Sequence, residues 1–211
     1  MPTSAKPWLN KDYWFAFWSG LIFLIGSLVA NYYANLYAIE RASNPVTDII
    51  LSNTRAFDLD GLFIYGAFGL VGLITILGLI KIQRLPFILK SVALFVIIRS
   101  VFISLTHIGI YPTHAVLDLN PFSLLLNKFA LGGDLFFSGH TGLPFLMGLI
   151  FWDKIYLRYL FIFLSILFGT VVLLAHLHYS IDVLAAFFIT YSIYHLARHF
   201  FPFELKLFQE E

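Results

Sequence analysis

His178 and Asp182, in "LLAHLHYSIDV" (173–183), sit four residues apart in a stretch that is otherwise mostly apolar. On a helix that spacing puts both side chains on one face. A carboxylate accepting a hydrogen bond from one imidazole nitrogen fixes the tautomer and leaves the other nitrogen as nucleophile or base. His176, two residues before His178, points away from it on a helix. The pair alone also fits a plainer role, capping a helix at a polar interface. A second stretch, "GGDLFFSGHTG" (132–142), shifts the balance. Ser138 is a good N-cap, and a helix starting there aims N–H groups and a positive dipole end outward, which suits a phosphate. His140 falls in its first turn, able to give or take a proton beside a bound anion, and Arg99 can fork onto phosphate oxygens. These residues suffice for phosphoryl transfer without a metal or cofactor. His178 attacks a phosphodiester to give a phosphohistidine. His140 protonates the departing alkoxide and then deprotonates the next acceptor hydroxyl, while Arg99 and the helix terminus hold the charge on the equatorial oxygens.

The elements that must bring these residues together follow from composition. Of 211 residues 60% are hydrophobic and 12% charged, with a mean hydropathy of +0.86, which is the usage of a membrane protein. A net charge of +1 and the absence of any long basic run give no reason to expect nucleic acid as a partner. The chain has no Cys, so disulfides, thiol nucleophiles and thiolate metal sites are excluded. A bilayer core of ~30 Å takes ~20 apolar residues per helix, and six stretches qualify: 13–38, 59–82, 86–106, 137–152, 157–176 and 180–201. The first is long and is followed by no A-x-A-like site, so it reads as a retained helix and not a signal peptide. The expected fold is all-α, a single six-helix membrane domain over residues 1–211.

Lys and Arg orient the bundle. Lys6, Lys11, Lys81, Arg84, Lys90, Lys154, Arg158, Arg198 and Lys206 fall at one set of helix ends; Arg41, Arg55 and Lys128 fall at the other, and Arg99 lies within a span. Both termini are therefore expected in the cytoplasm. Arg99, Asp134, His140, His176, His178 and Asp182 come from three spans but meet near the outer face. Ionisable groups at such depth are costly and mark function by default. His107 and His114 are expected at the rim of the site, and His195 and His199 at the cytoplasmic interface.

"GDLFFSGHT" and "LLAHLHYSIDVLAAFFIT" resemble the two catalytic motifs of the sphingomyelin synthase family, G-D-x-x-x-S-G-H-T and H-Y-[ST]-x-D-V, within the wider PAP2 lipid phosphatase and phosphotransferase superfamily. "IIRSVFISLTHIGIYP" is similar to its Arg-containing third-helix motif, and "NPVTD", with Pro45 and Asp48, is a faint echo of its "PPLPD" element. The resemblance implies a PAP2-type six-helix bundle that moves a phosphorylated head group from a membrane glycerophospholipid to ceramide or another lipid alcohol and releases diacylglycerol. It implies His178 as nucleophile, Asp182 as its orienting partner and His140 as acid and base. Arg99, Asp134, Ser138, Gly139, His176, Leu177 and Tyr179 are the expected substrate-binding positions. Two positions depart from the animal enzymes: Leu177 stands where an acidic residue associated with the donor's amine is usual, and Gly132 where a Cys commonly precedes the Gly-Asp pair. The head group thus stays open among choline, ethanolamine, inositol and others. The chain has the look of a minimal catalytic core such as a bacterial inner-membrane homologue.

Three other readings compete. A lipid phosphate phosphatase uses water as acceptor and resembles K-x6-R-P, P-S-G-H and S-R-x5-H-x3-D. Here Lys90 is out of register with Arg99, Ser100 replaces the Pro, Phe137 precedes Ser138 and Val172 takes the place of the second-motif Arg. A metal-dependent hydrolase would gather His176, His178 and Asp182 around an ion. A transporter or scaffold would use the polar cluster to hold lipid without chemistry.

Overall fold

A computed structural model describes residues 11–113 and 136–209. All regular structure in these residues is helical: α1 (Lys11–Arg41), α2 (Asp60–Ile80), α3 (Leu85–Leu105), α4 (Gly139–Ile150), α5 (Ile155–Leu174), α6 (Ser180–Phe200) and α7 (Pro202–Gln209), with single 3₁₀ turns at Leu51–Asn53 and Ile82–Arg84. Five spans, α1, α2, Ile82–Leu105, α5 and α6, are long and apolar enough to cross a membrane. The protein is therefore a multi-pass membrane protein. The fourth expected span differs. α4 has 12 residues, a rise of about 18 Å, and is buried along nearly its whole length.

Lipid is as apolar as a protein core, so these helices associate through close packing and polar contacts, not by excluding water. Phe15, Ile22, Ile76, Phe163 and Phe188 are accordingly exposed on the outside of the bundle. α1 lies along α3, and α4 is held between α5 and α6. Gly142 is what lets α4 settle so closely: a Cβ there would stand 2.8 Å from the Phe95 ring and 2.8 Å from Thr190 Oγ1. Phe87, Phe95, Phe137, Leu146, Phe151, Phe161 and Phe168 fill the centre of the bundle. At the Lys- and Arg-rich end, α7 closes the base. It was not expected from the sequence. Glu204 pairs with Lys90, and Arg84 lies over the rings of Phe151 and Phe208.

At the opposite end three connections interlock into a cap. Ser43 N and Oγ both donate to His107 O (2.8 and 2.7 Å), and Gly109 N donates to Asn44 O (3.3 Å). Phe57 N donates to Leu174 O at 2.9 Å. Asp48 is the hub. One carboxylate oxygen accepts from Ile50 N (2.8 Å) and Leu51 N (3.0 Å), the other from Ser180 N (2.8 Å) and Ser180 Oγ (2.7 Å). Burial opposes ionisation of Asp48, but these bonds outweigh it and hold the carboxyl below its ordinary value of 3.8. The acid sensitivity of the cap follows from the sign. A depressed carboxyl contributes stability in full above its unfolded value, lost as pH falls through the folded one. His176 adds an earlier limb: burial pushes its imidazole below the ordinary 6.5, against the pull of Asp48, so charging it opposes the cap as pH falls below 6.5. Amide exchange of residues 43–57 is expected to quicken modestly from pH 6.5 downward and steeply below about pH 4. Asp48→Asn should abolish the lower limb and, by removing the pull on His176, deepen the earlier one; an unchanged profile would assign the lower limb to another group.

Candidate active site

The segment from Ala175 to Tyr179 is a loop, and α6 begins only at Ser180. His178 and Asp182 are therefore not on one helical face, as the spacing suggested. Asp182 is in the first turn of α6 and reaches back past its start. Its Oδ2 accepts from Tyr179 N at 3.0 Å and lies 3.3 Å from His178 Nδ1. The expected pairing is present, made by a helix cap instead of by helical periodicity. Asp182 is fully buried, and its Oδ1 has no partner among the described residues.

α4 starts beside it. Ser138 caps the helix by accepting from Thr141 N at 3.4 Å, and Ser138 N donates to Asp182 O at 3.1 Å, which ties the two helix starts together. The N–H groups of Gly139 and His140 make no hydrogen bond among the described residues, leaving a donor pair at the positive end of the helix. The two helix termini thus differ: α6 directs its first N–H groups at Asp182 and Asp48, whereas α4 leaves two without a partner among the described residues. The His140 ring stacks on Phe63 (4.1 Å between centroids) and meets Phe168 edge-on at 6.3 Å. It is close enough to His178 and Arg99 for their charges to act on it. Its Nε2 is buried without a partner among the described residues.

Arg99 comes from α3 and lies over the start of α4. Its Nε donates to Phe137 O at 3.1 Å, and Nη1 donates to Asn31 Oδ1 at 3.4 Å. Gly139 makes room for it, since a Cβ there would stand 3.3 Å from Arg99 Nε. Ser100 Oγ, on the same helix, reaches the same Asn31 oxygen at 3.5 Å. Asn31 was missed by sequence reasoning although a signal existed: a side-chain amide in the middle of an apolar span needs a reason, as a charge does. Phe63 was missed as well, since one Phe in an apolar helix carries no signal.

The remaining expected residues separate from this group. His176 adopts φ 54° and turns into the cap, its Nε2 3.2 Å from Thr54 Oγ1 and its Nδ1 2.5 Å from Thr113 Oγ1. His176 and His178 thus bond to different partners, and no group of three or more His, Asp or Glu that could hold a metal ion occurs among the described residues. Tyr179 also belongs to the cap: its hydroxyl donates to Gly109 O (2.8 Å) and accepts from Val46 N (3.3 Å). Leu177 packs with Phe63, Val171, Val172, Ala175 and Val183. His107 faces Tyr37 at 5.3 Å. Lys90 is tied to Glu204 at the far end, nine residues before Arg99 and about 13 Å along α3. Asp134 and His114 lie outside the described residues.

The two helix starts and the Gly-Asp to Ser-Gly-His run fall in one segment of the sequence, and a family model described as PAP2 superfamily C-terminal matches residues 132–200. The likeness is confined to this part of the chain. The matched segment takes in His140, His178 and Asp182, spans α4 to α6 and covers roughly a third of the chain; Arg99 and Asn31 lie before it. No curated protein and no solved structure matches the chain significantly.

Proposed function

We propose that the protein is a sphingomyelin synthase-like phosphotransferase that carries a phosphorylated head group from a glycerophospholipid to ceramide or another lipid alcohol. The observation that carries this reading is the division of labour among three groups. Asp182 takes His178 Nδ1 and leaves Nε2 as the nucleophile, while His140 Nε2, unpartnered among the described residues, stands ready for the proton. Nε2 of His178 attacks phosphorus as the bond to the diacylglycerol oxygen breaks, and His140 gives that oxygen its proton. In the second half, His140 takes the proton of the acceptor hydroxyl, whose oxygen displaces His178. Arg99 and the N–H groups of Gly139 and His140 balance the charge on the phosphoryl oxygens. In the membrane, α4 is the short sixth member of the bundle, both termini face the cytoplasm and the site opens toward the outer face.

A diester rather than a dianionic monoester suits the cationic supply. Val172 stands in place of the second-motif Arg of phosphatases, and Lys90 is engaged at the other end of α3. Water in place of the lipid alcohol gives the second reading, a hydrolase of the same superfamily. Its support is that the same four residues serve either acceptor. Leu177, packed among apolar side chains, provides no charge for an amine head group.

The two readings part on products. Purified protein in mixed glycerophospholipid vesicles, with and without ceramide, is expected to form a phosphosphingolipid and diacylglycerol in equal amounts only when ceramide is present. Inorganic phosphate from phosphatidic acid, or diacylglycerol with a soluble phosphorylated head group irrespective of ceramide, would establish the hydrolase instead. Mass spectrometry of all products reads the result and names the head group.

A further inference from the structure

We propose that Asp48, in the connection between α1 and α2, is a positioning residue for the His178–Asp182 pair. The proposal rests on the reading of that pair as nucleophile and partner. His178 sits in a loop with no regular secondary structure, so its direction depends on how the loop is held at each end. On the upstream side Leu177 N and His178 N both donate to Val172 O, at 2.9 and 3.3 Å, just after α5 reverses at His176. On the downstream side the anchor is Ser180, which gives both its N–H and its hydroxyl to Asp48. Asp48 is fixed in turn by Ile50 N and Leu51 N. The loop that carries His178 is thus fastened to a segment 132 residues away in sequence.

The consequence lies in how two neighbouring N–H groups are shared. Tyr179 N goes to Asp182 and Ser180 N goes to Asp48. Without Asp48, Ser180 N loses its acceptor at a partly buried position, and a donor left unpaired there seeks another. Asp182 is the carboxylate on the same helical turn, and its Oδ1 has no partner among the described residues. Turning toward Ser180 draws Oδ2 away from His178 Nδ1, a contact that at 3.3 Å has little distance to give. Asp48 therefore keeps Asp182 assigned to the histidine.

The test follows diacylglycerol release from micelles of phosphatidylcholine, phosphatidylethanolamine, phosphatidylglycerol, phosphatidylinositol and phosphatidic acid carrying a fluorescent acyl chain, a readout common to transfer and hydrolysis. Asp48→Asn is expected to lower kcat about tenfold to a hundredfold, the scale of an ångström's misplacement, with KM within about twofold. In an Asp182→Asn background the same change should have almost no further effect, because its route through Asp182 is gone. Effects that multiply would indicate general loosening of the cap and overturn the proposal. If Asp48→Asn does not fold, Ser180→Ala, which removes the hydroxyl bond alone, carries the same comparison with an expected loss of about threefold. Full activity in Asp182→Asn alone would sink the reading of the pair and this proposal with it. Loss there, beside wild-type turnover in Asp48→Asn, would remove the proposal and leave the pair standing.

Discussion

Alanine in place of His178 is expected to lower diacylglycerol release by about 10⁴-fold or more, since removing the nucleophile of a covalent catalyst leaves only binding and charge stabilisation. That is about 5–6 kcal/mol of lost transition-state stabilisation. The chain has no Cys, and His176 is engaged with Thr54 and Thr113 in the cap. Asp182→Asn should retain somewhat more, because the ring survives but its tautomer and orientation are no longer fixed. Acid-quenched single turnovers analysed by peptide mass spectrometry should find the phosphorylated adduct on the peptide containing His178 in the wild type and none in His178→Ala. Alanine activity within tenfold of wild type, or an adduct on another residue, would rule out the covalent assignment. A lipid-binding scaffold predicts the reverse, with binding kept and no adduct at any stage.

The second large effect belongs to Arg99. Arg99→Ala is expected to lower kcat about 10²- to 10³-fold, the usual scale for removing one charged donor from a site where charge develops. Arg99→Lys should recover little of it. The guanidinium uses Nε on Phe137 O and Nη1 on Asn31, so its plane is fixed over the start of α4, whereas an ammonium is one point that must choose among those partners. Asn31→Leu, at one edge of that arrangement, should cost about tenfold or less, since its bond to Nη1 is long at 3.4 Å. Steady-state kinetics on the three variants orders them. Lysine restoring wild-type turnover would mean that Arg99 acts by charge alone, and an Asn31 effect as large as that of Arg99 would place the amide itself on the substrate.

How much of this was legible beforehand depends on the kind of interaction. Hydropathy alone fixed five long helices to within about three residues, because span length is set by bilayer thickness. α4 escaped the same logic: the apolar run from 137 to 152 has the composition of a span, yet its ends are cap and turn, with Ser138 at one side and Phe151 at the other. α7 was lost because an eight-residue amphipathic run after Pro202 looks like a tail until Glu204 is seen to meet Lys90. The His178–Asp182 pair was found through an argument that assumed a helix where there is a loop, and it held because an N3 carboxylate reaching back past its helix start spans the same four residues. Tyr179 and His176 matched motif positions, but their partners lie in the cap. Asp48 shows the limit. Its acceptors are filled by backbone and by Ser180, and a side chain that bonds backbone 132 residues away leaves no periodicity to read.

The start of α4 is sunk below the rim of the bundle. Thr141 packs against Gly169 and Ser165 of α5, about five residues, or ~8 Å, short of the last turn of that helix. Under the transfer reaction proposed above, diacylglycerol released at that depth would leave sideways between helices without a lift into water, and the reverse reaction would be governed by how fast it diffuses away in the plane of the membrane.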